Sequence, residues 1–232
     1  MTAVLFLSYT LAVAGGVVAA GFRWLPHRPA LALAAGLAAW FGWVGFLSSS
    51  GMLADTALRP PAILYMAGPF IVFAMLLAAT RFGADAAQAF PLPLLLGAQA
   101  FRIGVEWLLH QLWQEGLVPR MLTWEGANFD IVVGLTAPIA AWVAIRGRAG
   151  ARLALAWNFI GLALLANVVV RAALTAPGGL NLIATEIPNR LAGLFPYSYL
   201  AGFLAPLALV LHILAIRALL RRLAPATPET TG

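Results

Sequence analysis

Residues 153–175 read LALAWNFIGLALLANVVVRAALT. At about 1.5 Å of rise per residue, a helix of this length crosses a hydrocarbon core of about 30 Å. Runs of similar length and composition recur along nearly the whole chain and leave no room for a soluble domain. The 232 residues are 62% hydrophobic and 9% charged, where an ordinary soluble domain carries roughly 25% charged residues. So few charges cannot coat a soluble surface. The expected fold is an all-α polytopic transmembrane bundle of seven spans, forming a single domain over 1–223.

Working outward from that run, the other spans are expected at 3–22, 30–48, 61–80, 91–113, 129–145 and 191–220. Pro60 and Pro61 open the third span, and Pro91 and Pro93 the fourth, in first-turn positions where a missing N–H costs nothing. The last span exceeds the roughly 20 residues a bilayer needs, so it should tilt, or kink at Pro196 or Pro206. The tail 224–232, rich in Pro, Thr and Glu, should be disordered. No basic residue precedes the first run, as a secretory signal would require, so it is read as a retained span.

Arginine placement sets the orientation, because cytoplasmic loops retain positive charge. With the N-terminus outside and the C-terminus cytoplasmic, the cytoplasmic set is Arg23, Arg28, Arg81, Arg146, Arg148, Arg152, Arg217, Arg221 and Arg222. Arg59, Arg120 and Arg190 fall outside, a ratio of nine to three. Five of the eight carboxylates, Asp55, Glu115, Glu125, Asp130 and Glu186, lie on or near the outer side. Arg102 and Arg171 fall inside spans.

Composition excludes several chemistries. The formal charge is +6, but the basic residues stand singly at the ends of apolar runs, which is not a nucleic-acid surface. All fourteen basic residues are Arg, so a Lys Schiff base, and with it retinal attachment, is impossible. The phosphate-cradling Gly-rich loop with its Lys is missing for the same reason. Without Cys there is no disulfide, thiolate nucleophile or thiolate metal site. His27 lies in a loop, and His110 and His212 are expected at opposite membrane depths, so no common metal site and no other cofactor is expected. The serines lack a nucleophile-elbow context.

The fourth span carries Gln99, Arg102, Glu106 and His110 at helical spacing, on one face. An ionised side chain near the bilayer centre costs about 2.5 to 3.5 kcal/mol on insertion scales, so that face should point into the bundle or a wet cavity. Arg102 and Glu106, four apart, are expected to neutralise each other in part. They can form a buried ionic clasp, or line a substrate or proton pathway with Glu106 and His110 titrating. The loop that follows holds Glu125, Asn128 and Asp130. Asp130 should cap the fifth span, whereas Glu125 and Asn128 have no such ready explanation, and loops on rigid scaffolds commonly bind ligands. The sixth span adds Asn167 and Arg171. Asn158 and His212 fall toward the cytoplasmic half and are assigned to interhelical hydrogen bonding.

The segment from Arg102 to Pro138 resembles a family of bacterial seven-span integral membrane proteins. The matching features are Arg102-Ile-Gly-Val-Glu106, Pro119, Thr123-Trp-Glu-Gly-Ala-Asn-Phe-Asp-Ile131 and Gly134-Leu-Thr-Ala-Pro138. Further matches are Trp157-Asn158, the run 164–169, Pro188-Asn189 and His212. The core Glu-Gly-x-Asn-Phe-Asp is the most specific. Trp124, Ala127 and Gly104 depart from it, standing where members tend to have Phe, Arg and Pro. The resemblance implies a multi-pass protein of the bacterial cytoplasmic membrane and names no reaction.

The leading expectation is small-molecule or ion handling, as a transporter or receptor, through an outer-facing polar cavity. Its candidate ligand-binding residues are Arg102, Glu106, His110, Glu125, Asn128, Asp130, Asn167 and Arg171. One alternative is a structural or assembly protein whose outer loop docks a membrane-protein partner. Another is an intramembrane enzyme using Glu106, Glu125 or Asp130 as acid or base, although no nucleophile or metal set accompanies them.

Overall fold

The computed structural model describes residues 1–177 and 181–225, and the tail expected to be disordered lies mostly outside them. Among the described residues every regular element is helical. The helices are α1 (Thr2–Trp24), α2 (His27–Ser49), α3 (Leu64–Ala79), α4 (Arg81–Ala89), α5 (Leu92–Gly97), α6 (Arg102–Gln114), α7 (Asp130–Ala144), α8 (Gly147–Thr175) and α9 (Ala205–Leu223).

Among the described residues, five helices are long and apolar enough to cross a membrane. They are α1, α2, α8, the continuous rod Leu92–Gln114 that joins α5 to α6 through a tight turn, and the rod Leu200–Leu223 that ends in α9. A sixth appears if α3 and α4, bent by 80° at Thr80, count as one. α7 has 15 residues and falls below that length.

The bend has a local cause. Thr80 adopts an extended backbone (φ −106, ψ 168), and its hydroxyl donates to the Leu76 carbonyl at 2.6 Å. α4 then folds back under α3, with Gly83 and Ala87 buried and Arg81, Asp85 and Gln88 exposed. The carbonyls left free at the end of α3 receive a charged donor from α9: Arg217 donates to the Leu77 carbonyl at 2.9 Å and also to that of Ala78. A guanidinium at a helix C-terminus satisfies orphan acceptors and meets the negative end of the dipole.

The expected last span, 191–220, is shorter at its start. Leu191–Gly193 forms a tight turn, and a π-helical stretch over Leu200–Leu204 leads into α9, with Pro206 in its first turn. The intervening chain folds inward and buries Tyr197 and Tyr199. Tyr199 stacks on Phe41 with ring centroids 4.7 Å apart and donates to the Phe41 carbonyl at 2.9 Å.

Two apolar cores divide the bundle. One gathers Phe6, Val44, Leu47, Leu108, Leu112, Phe203 and Leu204. The other gathers Leu77, Leu95, Leu96, Ala144, Ala151 and Leu219. Along the α5–α6 rod, Gln99, Arg102 and Glu106 fall between the two. α7 packs on α5, α6 and α8, and α9 packs on α3, α4, α5 and α8, so α7 and α9 flank that polar stretch. The outer surface is apolar, with Leu135, Ile139, Leu153 and Ile160 among its exposed side chains.

Candidate functional site

The polar stretch of the α5–α6 rod is turned into the bundle. Gln99, Arg102 and Glu106 are at most 2% exposed, and each meets a different element. Gln99 donates to the Ala208 carbonyl of α9 at 3.0 Å. Arg102 pairs with Asp130 at the start of α7. Glu106 accepts from the Asn128 amide at 2.8 and 2.9 Å. The expected pairing of Arg102 with Glu106 is therefore replaced by two separate partnerships across helices. Four residues apart on one helix, the two side chains are neighbours, but α7 and its leading loop supply better-placed partners for each.

Asn128 organises the loop side. Its amide nitrogen also donates to the Leu122 carbonyl at 3.0 Å, and its Oδ1 accepts from the Asp130 N–H at 3.0 Å. The capping expected of Asp130 is thus performed by Asn128, which leaves the Asp130 carboxylate for Arg102. Asp130 still profits from its place in the first turn, where the helix dipole favours negative charge.

Asn158 and His212, set apart in the sequence reading, join the network. The Asn158 amide nitrogen donates to the Ala154 carbonyl at 2.8 Å, which turns its Oδ1 toward His212 Nδ1 at 2.9 Å. His212 Nε2 lies 3.2 Å from an Arg102 nitrogen. A backbone carbonyl can only accept, so each link has one direction: His212 donates from Nδ1, and Nε2 accepts from Arg102. The imidazole is held neutral in the Nδ1–H form. The signal available in the sequence was a lone His in an apolar helix, which has no counterpart on its own face.

His110, Glu125, Asn167 and Arg171 do not reach this network. His110 stacks flat on Trp124, with centroids 4.4 Å apart and planes 11° apart, and lies 2.9 Å from the Gln114 amide nitrogen. Asn167 donates to the Ala127 carbonyl at 2.7 Å, and Arg171 donates to Asn167 at 2.8 Å, so this pair anchors the loop before α7 to α8. Asn167 and Arg171 also line a cavity of about 410 Å³.

A larger cavity, about 620 Å³, is lined by Trp113, Arg120, Met121, Glu125, Gly126 and Glu186. Of the sequence candidates it includes Glu125 alone. Glu186 accepts from the Arg120 backbone N–H at 2.6 Å, which brings the segment before the last helices onto the loop. Sequence order gave no hint of that pairing, because the two residues are 66 positions apart. Among the described residues, no three His, Asp or Glu side chains converge in a way that could hold a metal ion.

Gly161 of α8 marks how closely His212 is held. A Cβ there would lie 2.5 Å from His212 Cε1 and 2.9 Å from Nε2. Gly161→Ala should therefore push the imidazole off Arg102 and cost about 1 to 3 kcal/mol, as overpacking does. Thermal melting in detergent checks this, with Gly36→Ala, where a Cβ meets nothing within 4 Å, as the neutral control.

No curated protein and no solved structure matches this chain. A family profile matches residues 60–220, a stretch that contains every member of the buried network from Gln99 to His212. The chain belongs to that family, described as a domain of unknown function (DUF8737).

Proposed function

We propose that this protein is a seven-span protein of the bacterial cytoplasmic membrane, N-terminus outside, that handles a small charged molecule through a cavity at its outer end. Seven crossings result if the five long helices are joined by the bent α3–α4 pair and by α7. α7 is only about 22 Å long at the usual helical rise, but its polar N-terminal loop is drawn down among the other helices. One end of the bundle is the arginine end. There Arg148 donates to the Leu223 carbonyl at 2.7 Å and Arg222 to that of Ile145 at 3.3 Å, beside the Arg217 contacts. The opposite end holds Glu115, Glu125 and Glu186, in keeping with positive charge on the cytoplasmic side.

The observation that carries the functional reading is a single loop with two faces. Arg120, Met121, Glu125 and Gly126 line the 620 Å³ cavity, and the next few residues, Asn128 and Asp130, enter the buried charged network. A ligand that orders the loop would thereby be felt in the bundle. The cavity is lined by Arg120 and the carboxylates of Glu125 and Glu186, with no ion pair within 4.0 Å joining them among the described residues, and with Trp113 and Met121 as apolar wall. Such a lining suits a zwitterion of amino-acid size.

Two measurements test this reading. The chain lacks Cys, so single-cysteine variants report on topology directly. Glu125→Cys should react with a membrane-impermeant maleimide in intact cells, and Asp85→Cys should react only after lysis; the reverse pattern removes the orientation. For binding, calorimetry with the amino-acid zwitterions should find a ligand whose affinity falls about tenfold or more in Arg120→Gln and in Glu125→Gln, the scale of a lost charge-assisted hydrogen bond. Binding unchanged in both variants, or saturable binding by none of the set, counts against the cavity.

A second reading is favoured by the enclosure of the network. Arg102, Glu106, Asn128 and Asp130 line neither cavity and are at most 5% exposed. On this view they clamp α6, α7, α8 and α9 together, and the outer loop docks a partner. The maleimide result would stand, and no zwitterion would bind.

A further inference from the structure

The buried network contains more acid than base. Its charged members are Arg102 and Glu106 on α6 and Asp130 on α7. Facing them are His212 on α9, Asn158 on α8 and Gln99 in the turn before α6, and from α1 the Tyr9 hydroxyl donates to the nearby Phe101 carbonyl. The directed chain from Ala154 through Asn158 keeps His212 neutral. Two carboxylates therefore share one guanidinium.

Arg102 takes Asp130 as its partner, and this is the salt bridge found among the described residues. Glu106 has no cationic nitrogen within 4.0 Å there. Its two oxygens face one amide group, whose two hydrogens must also serve the Leu122 carbonyl at 3.0 Å. Asp130 Oδ1 and Gln99 Oε1 are buried acceptors with no donor at all. Arg102 Nε is a buried donor without an acceptor, but no Arg102 nitrogen comes within 4.0 Å of the Glu106 carboxylate, so what Glu106 lacks is a cation within reach, and it is 2% exposed. A carboxylate taken out of water without a cation is costly enough that taking up a proton is the cheaper state.

We propose that the network is a binding site for a single proton, carried by Glu106. Uptake forms the carboxyl O–H bond, with the proton drawn from bulk water, and brings the network to neutrality; release leaves one uncompensated negative charge among α6, α7 and α9. Neither the 620 Å³ nor the 410 Å³ cavity is lined by Glu106, and sodium or potassium in place of the proton is an outcome of the test. Asn128 ties the proton to the outer loop, so movement of that loop and exchange of the proton are linked. The inference holds whether or not the outer cavity binds a zwitterion.

Infrared spectroscopy of the whole, ligand-free protein in detergent at neutral pH tests it. The wild type should show the carbonyl-stretch band of a protonated carboxyl group. That band should shift when glutamate is carboxyl-labelled with carbon-13, and stay in place when aspartate is labelled. Glu115, Glu125 and Glu186 are exposed, so among the described glutamates the band belongs to Glu106. Glu106→Gln should abolish it, and Asp130→Asn, which frees Arg102 to balance an ionised Glu106, should weaken it; the isotope shift decides the matter even if either variant fails to fold. No band in the wild type overturns the proposal, and a melting temperature that then rises when choline is replaced by sodium would assign the counter-charge to an alkali cation. A band that shifts only with labelled aspartate overturns the assignment to Glu106.

Discussion

Arg102→Ala should lower stability by about 3 to 5 kcal/mol, the cost of breaking a buried ion pair by removing one partner. The guanidinium is 2% exposed and joins Asp130 of α7 to His212 of α9. Its loss leaves Asp130 with no cation, beside a second carboxylate at Glu106, and leaves His212 Nε2 without its donor. For a chain of this size the melting temperature should fall by on the order of 10 °C. The double variant Arg102→Ala/Asp130→Ala should recover part of the loss, because the orphaned charge goes with its partner. A single variant that melts within a degree or two of wild type would mean that water reaches the network, and the enclosed cluster would have to be abandoned.

Gly83→Ala should be comparably severe for a different reason. A Cβ at this position would lie 1.8 Å from the Leu77 carbonyl oxygen and 2.5 Å from its carbon, both backbone atoms that cannot rotate away. Overpacking of side chains costs about 1 to 3 kcal/mol, occasionally more, and a clash with backbone belongs at the upper end. Relief requires α4 to swing away from α3, which breaks the 80° bend and withdraws Arg217 from the Leu77 and Ala78 carbonyls. The expected result is a large loss of thermally stable, extractable protein. Gly68→Ala in α3, where a Cβ meets nothing within 4 Å, should be neutral or stabilising by roughly 0.5 to 1 kcal/mol, since Ala is the better helix former. Equal behaviour of the two variants would remove the close packing of α4 under α3.

The helices themselves were legible to different depths. The run 129–145 and the helix Asp130–Ala144 agree to within a residue, because a polar loop and an Arg pair bracket the apolar stretch. α8 begins at Gly147 and takes in Arg148 and Arg152, which the run 153–175 left out. Helical hydrogen bonding continues past the apolar boundary when long basic side chains can reach water or free carbonyls. The third run, 61–80, gave no sign of the turn that follows it. The bend at Thr80 depends on a Gly83 contact that no periodicity encodes.

The candidate site divides along the same line. Gln99, Arg102 and Glu106 were readable as one inward face, since residues three or four apart in a helix share a side and an apolar surface has no use for charge. Their partners were not. Spacing within one helix offers Glu106 to Arg102, and nothing in the order of residues shows that the interhelical hydrogen bond expected of Asn158 and His212 also meets Arg102.

The sequence by itself determined that the chain forms long apolar helices with a few ionisable groups too costly to leave against an apolar surface, for composition and spacing are properties of one segment at a time. Only the tertiary structure decided that Asp130 takes the guanidinium, that Asn158 holds His212 neutral, and that Glu106 is left without a cation. Those outcomes depend on the azimuth and packing of separate helices, and no order of residues along a single helix contains that information.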